Sequence, residues 1–501
     1  MPRSSSTRPL RTAALAASAA ALLAGCAAVG PNFSRPAAPT ADGYAQPGDI
    51  THAGDTQAVV GDKVVADWWT LFQAPELDVL VREAIANNRS LEAARARRAA
   101  AREAVGADTG LATADLNSSY KRERANLDAF SGGAFGPSSL PAGLSFPTNP
   151  EYNLYTIGGS VSYNLDLFGQ VRRRKEALNA DAETQARELD AAYLTLTGQV
   201  VQQVLTIADA NVQITALKDI VANDQADLDM VRKAQAAGGA SAADVATVET
   251  ELAEDAASVP VQKQRLSVAR HQLAVLVGKA PSDFNPPDFD ASSGRLPAVL
   301  PVSLPSQLVR DRPDILEAEA ELHAATARIG VATAALYPNI TLSATLSQDA
   351  LTPSQIFSPI ADSWALGPTL TVPLFRSGEL HAQKREAEDR ARAALADYEQ
   401  TVLAAFAQVD DALQAIAHDN QAYADQTRAL NAATDKLEMI RRGYRAGGVS
   451  ALQVVDGERS WRRTRLALSQ QATGRYGDAA RLLLATASVP PGIAEAKPPA
   501  Q

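Results

Sequence analysis

The 501-residue chain has a single cysteine, Cys26, so no internal disulfide can form and stability has to come from packing or association. Aromatic residues are only 5% of the chain while alanine is abundant, which suits closely packed helices better than a sandwich core. After the N-terminal leader no stretch approaches 18 continuous apolar residues, so no transmembrane helix is expected. Basic charge is in deficit: the formal net charge is −10 and no basic tract occurs, which argues against a nucleic-acid partner. The five histidines (His52, His271, His323, His381 and His418) are scattered, and none has a histidine or cysteine metal-ligand partner at i+3 or i+4. His-Glu-x-x-His, P-loop and Gly-x-Ser-x-Gly motifs are all missing, so the sequence offers no catalytic, cofactor or metal site and is not read as an enzyme. Trp68-Trp69 could form a ligand platform, but packing of the N-terminal segment is the favoured reading.

What is present begins with the leader. Arg3, Arg8 and Arg11 form a positive n-region, and Ala13 to Leu23 is an apolar run too short to span a bilayer. It ends in Leu23-Ala24-Gly25-Cys26, which resembles the lipobox of bacterial lipoproteins. The resemblance implies cleavage before Cys26 and acylation of its thiol. Two or three acyl chains, at roughly 0.8 kcal/mol per buried methylene, anchor a protein almost permanently. The alternative is an ordinary secretory signal followed by a chance cysteine. Removing residues 1–25 leaves 476 residues and moves the net charge to about −13.

The chain repeats itself with a period of roughly 210–230 residues. Leu80-Val81-Arg82 is matched by Leu308-Val309-Arg310, and Leu165-Asp166-Leu167-Phe168 by Val372-Pro373-Leu374-Phe375. Ala237-Gly238-Gly239-Ala240-Ser241 is matched by Ala446-Gly447-Gly448-Val449-Ser450, and all three landmarks keep their order. Each half reads helix, strand, loop, strand, very long helix, Gly-Gly turn, helix. The expected layout is an extended acylated segment at 26–75 followed by a first repeat at 76–300. That repeat carries strands near 115–124 and 154–167 and a helical hairpin near 170–277. A second repeat at 301–487 follows, with strands near 339–348 and 363–374 and a hairpin near 377–486, and then a disordered tail at 488–501.

The long helices carry a seven-residue apolar repeat. Leu189, Tyr193, Leu196, Val200, Val204 and Ile207 begin one seam, which runs on to Val221, Leu228 and Val231. Tyr398, Val402, Phe406, Val409 and Leu413 begin the other. Such seams mark coiled-coil packing, and the first helix should be roughly 100 Å long at 1.5 Å per residue. The strands alternate instead with period two: Tyr155, Ile157, Val161 and Tyr163 between Thr156, Ser160 and Ser162, and Ile340, Leu342 and Leu346 between Thr341, Ser343 and Thr345. That pattern fits a membrane strand beside a wet lumen, and equally a half-buried soluble strand. The hydroxyl-rich face, the Gly/Pro/Ser loops and the lipid anchor favour the membrane. Four strands cannot close a barrel, and open edges are not tolerated in hydrocarbon, so membrane strands demand an oligomer. A trimer would supply twelve strands.

Several stretches resemble the outer membrane factor family, the TolC-like, NodT-type exit ducts of tripartite efflux systems. They are Cys26 with Gly30-Pro31-Asn32-Phe33-Ser34-Arg35-Pro36, Trp68-Trp69-Thr70-Leu71-Phe72, Pro75-Glu76-Leu77-Asp78, Asp166-Leu167-Phe168-Gly169, Arg312-Pro313-Asp314-Ile315, Tyr337-Pro338-Asn339-Ile340, Tyr444-Arg445-Ala446-Gly447-Gly448 and Val454-Val455-Asp456. The resemblance runs from Cys26 to about Thr486. It implies a mainly α chain with a membrane β-barrel, assembled as a homotrimer with a 12-stranded barrel in the outer membrane and a long helical barrel in the periplasm. Its partners would be a periplasmic adaptor and an inner-membrane pump of the RND type, with drugs or other small molecules as cargo. It also implies that the turns at Gly238, Gly239, Gly447 and Gly448 are periplasmic tips. Asp244 would stand near the aperture, and Arg441, Arg442 and Arg445 could hold it shut. Ser450 stands where relatives often carry aspartate, and Asp244 also reads simply as a helix N-terminal charge. Two rival readings are a duct for type I protein secretion and a periplasmic coiled-coil adaptor or structural lipoprotein.

Overall fold

The computed structural model describes residues 28–39, 43–44, 57–61, 64, 66–108, 110, 112–124, 150–287, 289 and 294–489. Cys26, the leader, most of the 128–153 loop and the tail from 490 lie outside the described residues. In chain order the elements are β1 (Gln57–Val60), α1 (Pro75–Asn87), α2 (Arg89–Ala107), β2 (Thr113–Arg124), β3 (Glu151–Asn164), α3 (Gln170–Ala236), α4 (Ala242–Leu276) and β4 (Val299–Val302). Then come α5 (Pro305–Asp311), α6 (Pro313–Ala334), β5 (Asn339–Ala350), β6 (Asp362–Thr371), α7 (Ser377–Arg445) and α8 (Ala451–Thr486). Among the described residues no helix is long and apolar enough to cross a membrane.

Two compact units emerge, and neither coincides with one repeat. The first takes residues up to 34, 103–180 and 323–393; the second takes 35–102, 181–322 and 394 onward. Each therefore holds corresponding parts of both halves, so the duplicated halves are interleaved.

In the first unit β2, β3, β5 and β6 form one antiparallel sheet in that order. Both strand-to-helix transitions come earlier than the alternation suggests. β3 stops at Asn164, not 167, because Asp166 turns the chain with φ +42°. Its carboxylate then accepts the Val171 and Arg172 N–H groups, 2.8 and 3.0 Å away, opening α3. β6 ends at Thr371, two residues before Pro373, which has no N–H to continue a ladder.

In the second unit the seam residues are buried as their spacing demands, with Leu189, Val200, Ile207 and Val231 on α3 and Tyr398, Val402 and Val409 on α7 almost fully covered. Each such side chain contributes about 1.5–3 kcal/mol. Trp68 and Trp69 are 0% and 1% exposed, and the Trp69 indole donates to Asp78 Oδ1 at 2.9 Å, leaving no ring face for a ligand. The extended N-terminal segment holds more structure than its composition suggests: β1 pairs in parallel with β4, Gln57 opposite Val299 and Val60 opposite Val302.

Candidate functional site

The pairing register sorts the four-stranded sheet into two chemically distinct faces. Directly opposed residues share a face, and alternate residues take opposite faces. Leu116 opposes Gly159, Tyr120 opposes Tyr155, Val161 opposes Ala344 and Leu346 opposes Trp364, so these side chains project together. Ile340, Leu342, Leu366 and Leu370 join them. The other face carries Asp115 opposite Ser160, Ser162 opposite Ser343, Ser160 opposite Thr345, and Thr341 opposite Thr369. The apolar face is uncovered: Trp364 is 76% exposed, Leu346 64% and Leu116 82%. A contiguous exposed band of this kind requires a lipid or protein partner. At the two ends of the sheet β2 and β6 each pair on one side only.

The turns of the second unit form a second candidate region. α3 and α7 each end in a Schellman-type reversal: Gly238 and Gly447 take φ +75° and +77°, and the N–H groups of Gly239 and Gly448 bond Ala234 O and Gly443 O at 2.8 and 3.0 Å. The returning helices start with capping boxes, Ser241 with Asp244 and Ser450 with Gln453. Asp244 accepts the Ser241 N–H at 2.7 Å, and the hydrogen bonds from Ser241 hold its carboxyl below the usual range. Asp244 is thus the matched counterpart of Gln453, and Ser450 that of Ser241. The spacing Ser-x-x-Asp and Ser-x-x-Gln was the signal for this role. Arg441 pairs with Glu458 of its own chain at 2.8 Å, and Arg232 with Glu249 at 2.5 Å. The two pairs occupy equivalent places in the two repeats and tie each hairpin together. Arg445 donates back to Arg441 O at 3.3 Å, and Arg442 is exposed.

A third feature lies between the hairpins. Arg462 on α8, 8% exposed, donates to Asp224 Oδ1 at 2.8 Å and to Asp227 Oδ2 at 2.9 Å, both on α3, and to Glu458 Oε2 at 2.8 Å. Burial pushes the Asp224 carboxyl up to about 6 even with Arg462 beside it, and Asp255 adds to the rise. Periodicity left a signal for this cluster: Asp224 fills the seam position skipped between Val221 and Leu228. Among the described residues no group of three His, Cys, Asp or Glu side chains could hold a metal ion.

The family model described as "Outer membrane efflux protein" matches residues 80–279 and 304–488. The chain belongs to that family. It is 28% identical over 443 residues to the probable outer membrane lipoprotein SilC of Salmonella typhimurium, covering 88% of this chain and 90% of SilC. To the outer membrane protein OprJ of Pseudomonas aeruginosa it is 31% identical over 455 residues, 88% of each chain. The solved outer-membrane channel OprN superimposes with a TM-score of 0.79 at 27% identity, covering 92% of this chain and 99% of that one. The chain is accordingly mainly helical with membrane β-strands and is located in the outer membrane, where it serves as a channel for efflux. The two faces of the sheet differ as the two sides of a membrane β-strand beside a wet lumen do.

Proposed function

We propose that three copies of this chain pool their sheets into a 12-stranded barrel and act as the passive exit duct of a tripartite efflux pump. The duct receives drugs or other small molecules from an inner-membrane transporter of the RND type through a periplasmic adaptor, and it hydrolyses nothing. The observation that carries this reading is the sheet: one apolar face, one hydroxyl-rich face and two edges paired on one side only. Each unmet backbone group in hydrocarbon costs several kcal/mol, so β2 and β6 each need a strand from another copy. Twelve strands also leave room for water, which eight do not. Native mass spectrometry of the detergent-extracted protein should give a trimer, and planar-bilayer recording of the same sample should give discrete channels. A stable monomer without conductance would overturn the reading.

Further parts of the proposal concern named residues. Cys26 is the acylated first residue of the mature chain, anchoring it to the outer membrane. The reversals at Gly238-Gly239 and Gly447-Gly448 are the periplasmic ends that close the duct and face the adaptor. Asp244 and Arg441 already have partners within the chain, so exposed Arg442 is the better candidate for a contact between copies. Arg442→Glu should raise single-channel conductance while changing stability by no more than about 1 kcal/mol, as for other exposed ion pairs. Unchanged conductance would remove Arg442 from the closure.

A further inference from the structure

The segment that follows the lipobox, Ala28 to Ser34, is gripped by a set of contacts with no counterpart in the second repeat. Arg173, in the first turn of α3, is 4% exposed although it follows Arg172 and precedes Arg174, which are solvated. Its Nε donates to Val29 O at 3.2 Å. Its Nη2 donates to Gly30 O at 3.3 Å and to Asn32 Oδ1 at 2.6 Å, and its Nη1 to Glu176 Oε2 at 2.8 Å. Glu176 in turn meets His323 Nε2 of α6 at 3.1 Å. Burial opposes ionisation of Glu176, but Arg173 and His323 together hold its carboxyl below the usual range. The His323 ring stacks on Phe33 with centroids 4.3 Å apart. Val29 N–H donates to Phe168 O at 3.1 Å, at the junction of β3 and α3.

Glycines make the grip possible. A methyl group on Gly30, whose φ is +91°, would fall 2.6 Å from Gly330 Cα, and one on Gly330 would fall 2.7 Å from Arg173 Cδ. A methyl on Gly169 would lie 2.5 Å from Ala28 Cβ. In the second repeat Leu380 stands where Arg173 stands in the first, so the duplication supplies one such clamp per chain.

We propose that Arg173 is a positioning residue for the lipid anchor, holding Ala28–Ser34 so that the acyl chains on Cys26 enter the membrane beside the β3–α3 junction. This rests on the reading of Cys26 as acylated. Cys26 is three positions before Val29, and an extended chain reaches at most about 3.5 Å per residue, so the anchor lies within about 10 Å of Val29, whose N–H bonds the carbonyl of Phe168, the residue stacked on Tyr337. A reach this short, against a hydrocarbon core of about 30 Å, confines the acyl chains to the leaflet on the junction side of the sheet. Releasing the clamp leaves the Val29 N–H bond to Phe168 O as a single tie ahead of Phe33, and once that bond opens the first fixed point is Phe33, seven residues from the anchor. The local concentration of acyl chain at the junction then falls about threefold, as the −3/2 power of tether length.

The test places p-benzoylphenylalanine at position 337 in cells fed an alkyne palmitate analogue, and photolyses intact membranes. Mass spectrometry should find an adduct between the residue-337 peptide and the acylated N-terminal peptide. Arg173→Met and Gly330→Ala should each lower that adduct about threefold, with palmitate incorporation and yield of assembled protein unchanged. Arg173→Lys keeps one charge but not the fork of donors, and should recover only part of the adduct. An adduct unchanged in both Arg173→Met and Gly330→Ala would overturn the proposal. No palmitate on the unsubstituted protein would instead sink the acylation reading, and that outcome is read from the incorporation alone.

Discussion

Arg462→Met should cost the helical hairpins about 3–5 kcal/mol, the usual penalty for removing one partner of a buried ion pair. Methionine fills much of the arginine stem, so the loss comes from charge and not from a cavity. Asp224, Asp227 and Glu458 would be left facing one another with side-chain exposures of 6%, 7% and 19%. The effect carries its own pH signature. Asp224 has its carboxyl raised to about 6 in the folded chain, above its ordinary 3.8. Between those values the folded state binds the proton and the unfolded state does not, so this group's penalty on stability is relieved as pH falls through 6 toward 3.8. Without Arg462 the carboxyl rises further. The Met variant should therefore recover part of its loss at pH 5 relative to pH 8, measured as the urea midpoint followed by fluorescence of the neighbouring Trp461. Asp224→Asn in the same background should reduce the recovery to the share left to Asp227, whose carboxyl burial also raises. A deficit that is equal at both pH values would show that the carboxylates are not the source of the loss.

The same cluster shows where the sequence is readable and where it is not. Apolar spacing of seven marks α3 and α7 because a seam must repeat to stay buried, and period-two alternation marks β3, β5 and β6 because one face of each strand is apolar. Aspartate at a seam position looks like a solvated break until its partner is known. That partner, Arg462, lies 238 residues away with no local pattern to announce it. Arg173 is hidden in a similar way: inside Arg172-Arg173-Arg174-Lys175 it resembles its neighbours, and only the fold separates the buried one from the solvated ones. β1 and β4 escape because four-residue strands held by a single partner have no room for alternation. Asp244 was legible in two ways, as a lining charge and as a capping residue, and the matching Ser450–Gln453 box weights it toward the second.

Leu346→Arg should remove about 2–4 kcal/mol from the assembled sheet, the cost of an arginine on the lipid face near the bilayer midplane. The position is decided by register. Leu346 lies past the middle of β5, between Gly159 of β3 and Trp364 of β6, and is 64% exposed on the apolar face. Its neighbour Thr345 lies between Ser160 and Ala365 on the opposite face. Thr345→Arg adds the same charge one residue away, yet it should be absorbed by a water-filled passage with little loss of stability. The two substitutions therefore separate the faces without reference to any partner protein. Urea midpoints in lipid vesicles should fall for Leu346→Arg and stay near the starting value for Thr345→Arg. Bilayer recordings should show altered ion selectivity for Thr345→Arg, because a ring of added positive charge inside the passage disfavours cations. If Thr345→Arg were the damaging change, the faces would have to be exchanged. Equal damage from both would mean a sheet covered on two sides by protein, and the passage would have to be sought elsewhere in the chain. The contrast is strong because adjacent residues on one strand share its propensity, pairing and depth, and differ only in the side they face.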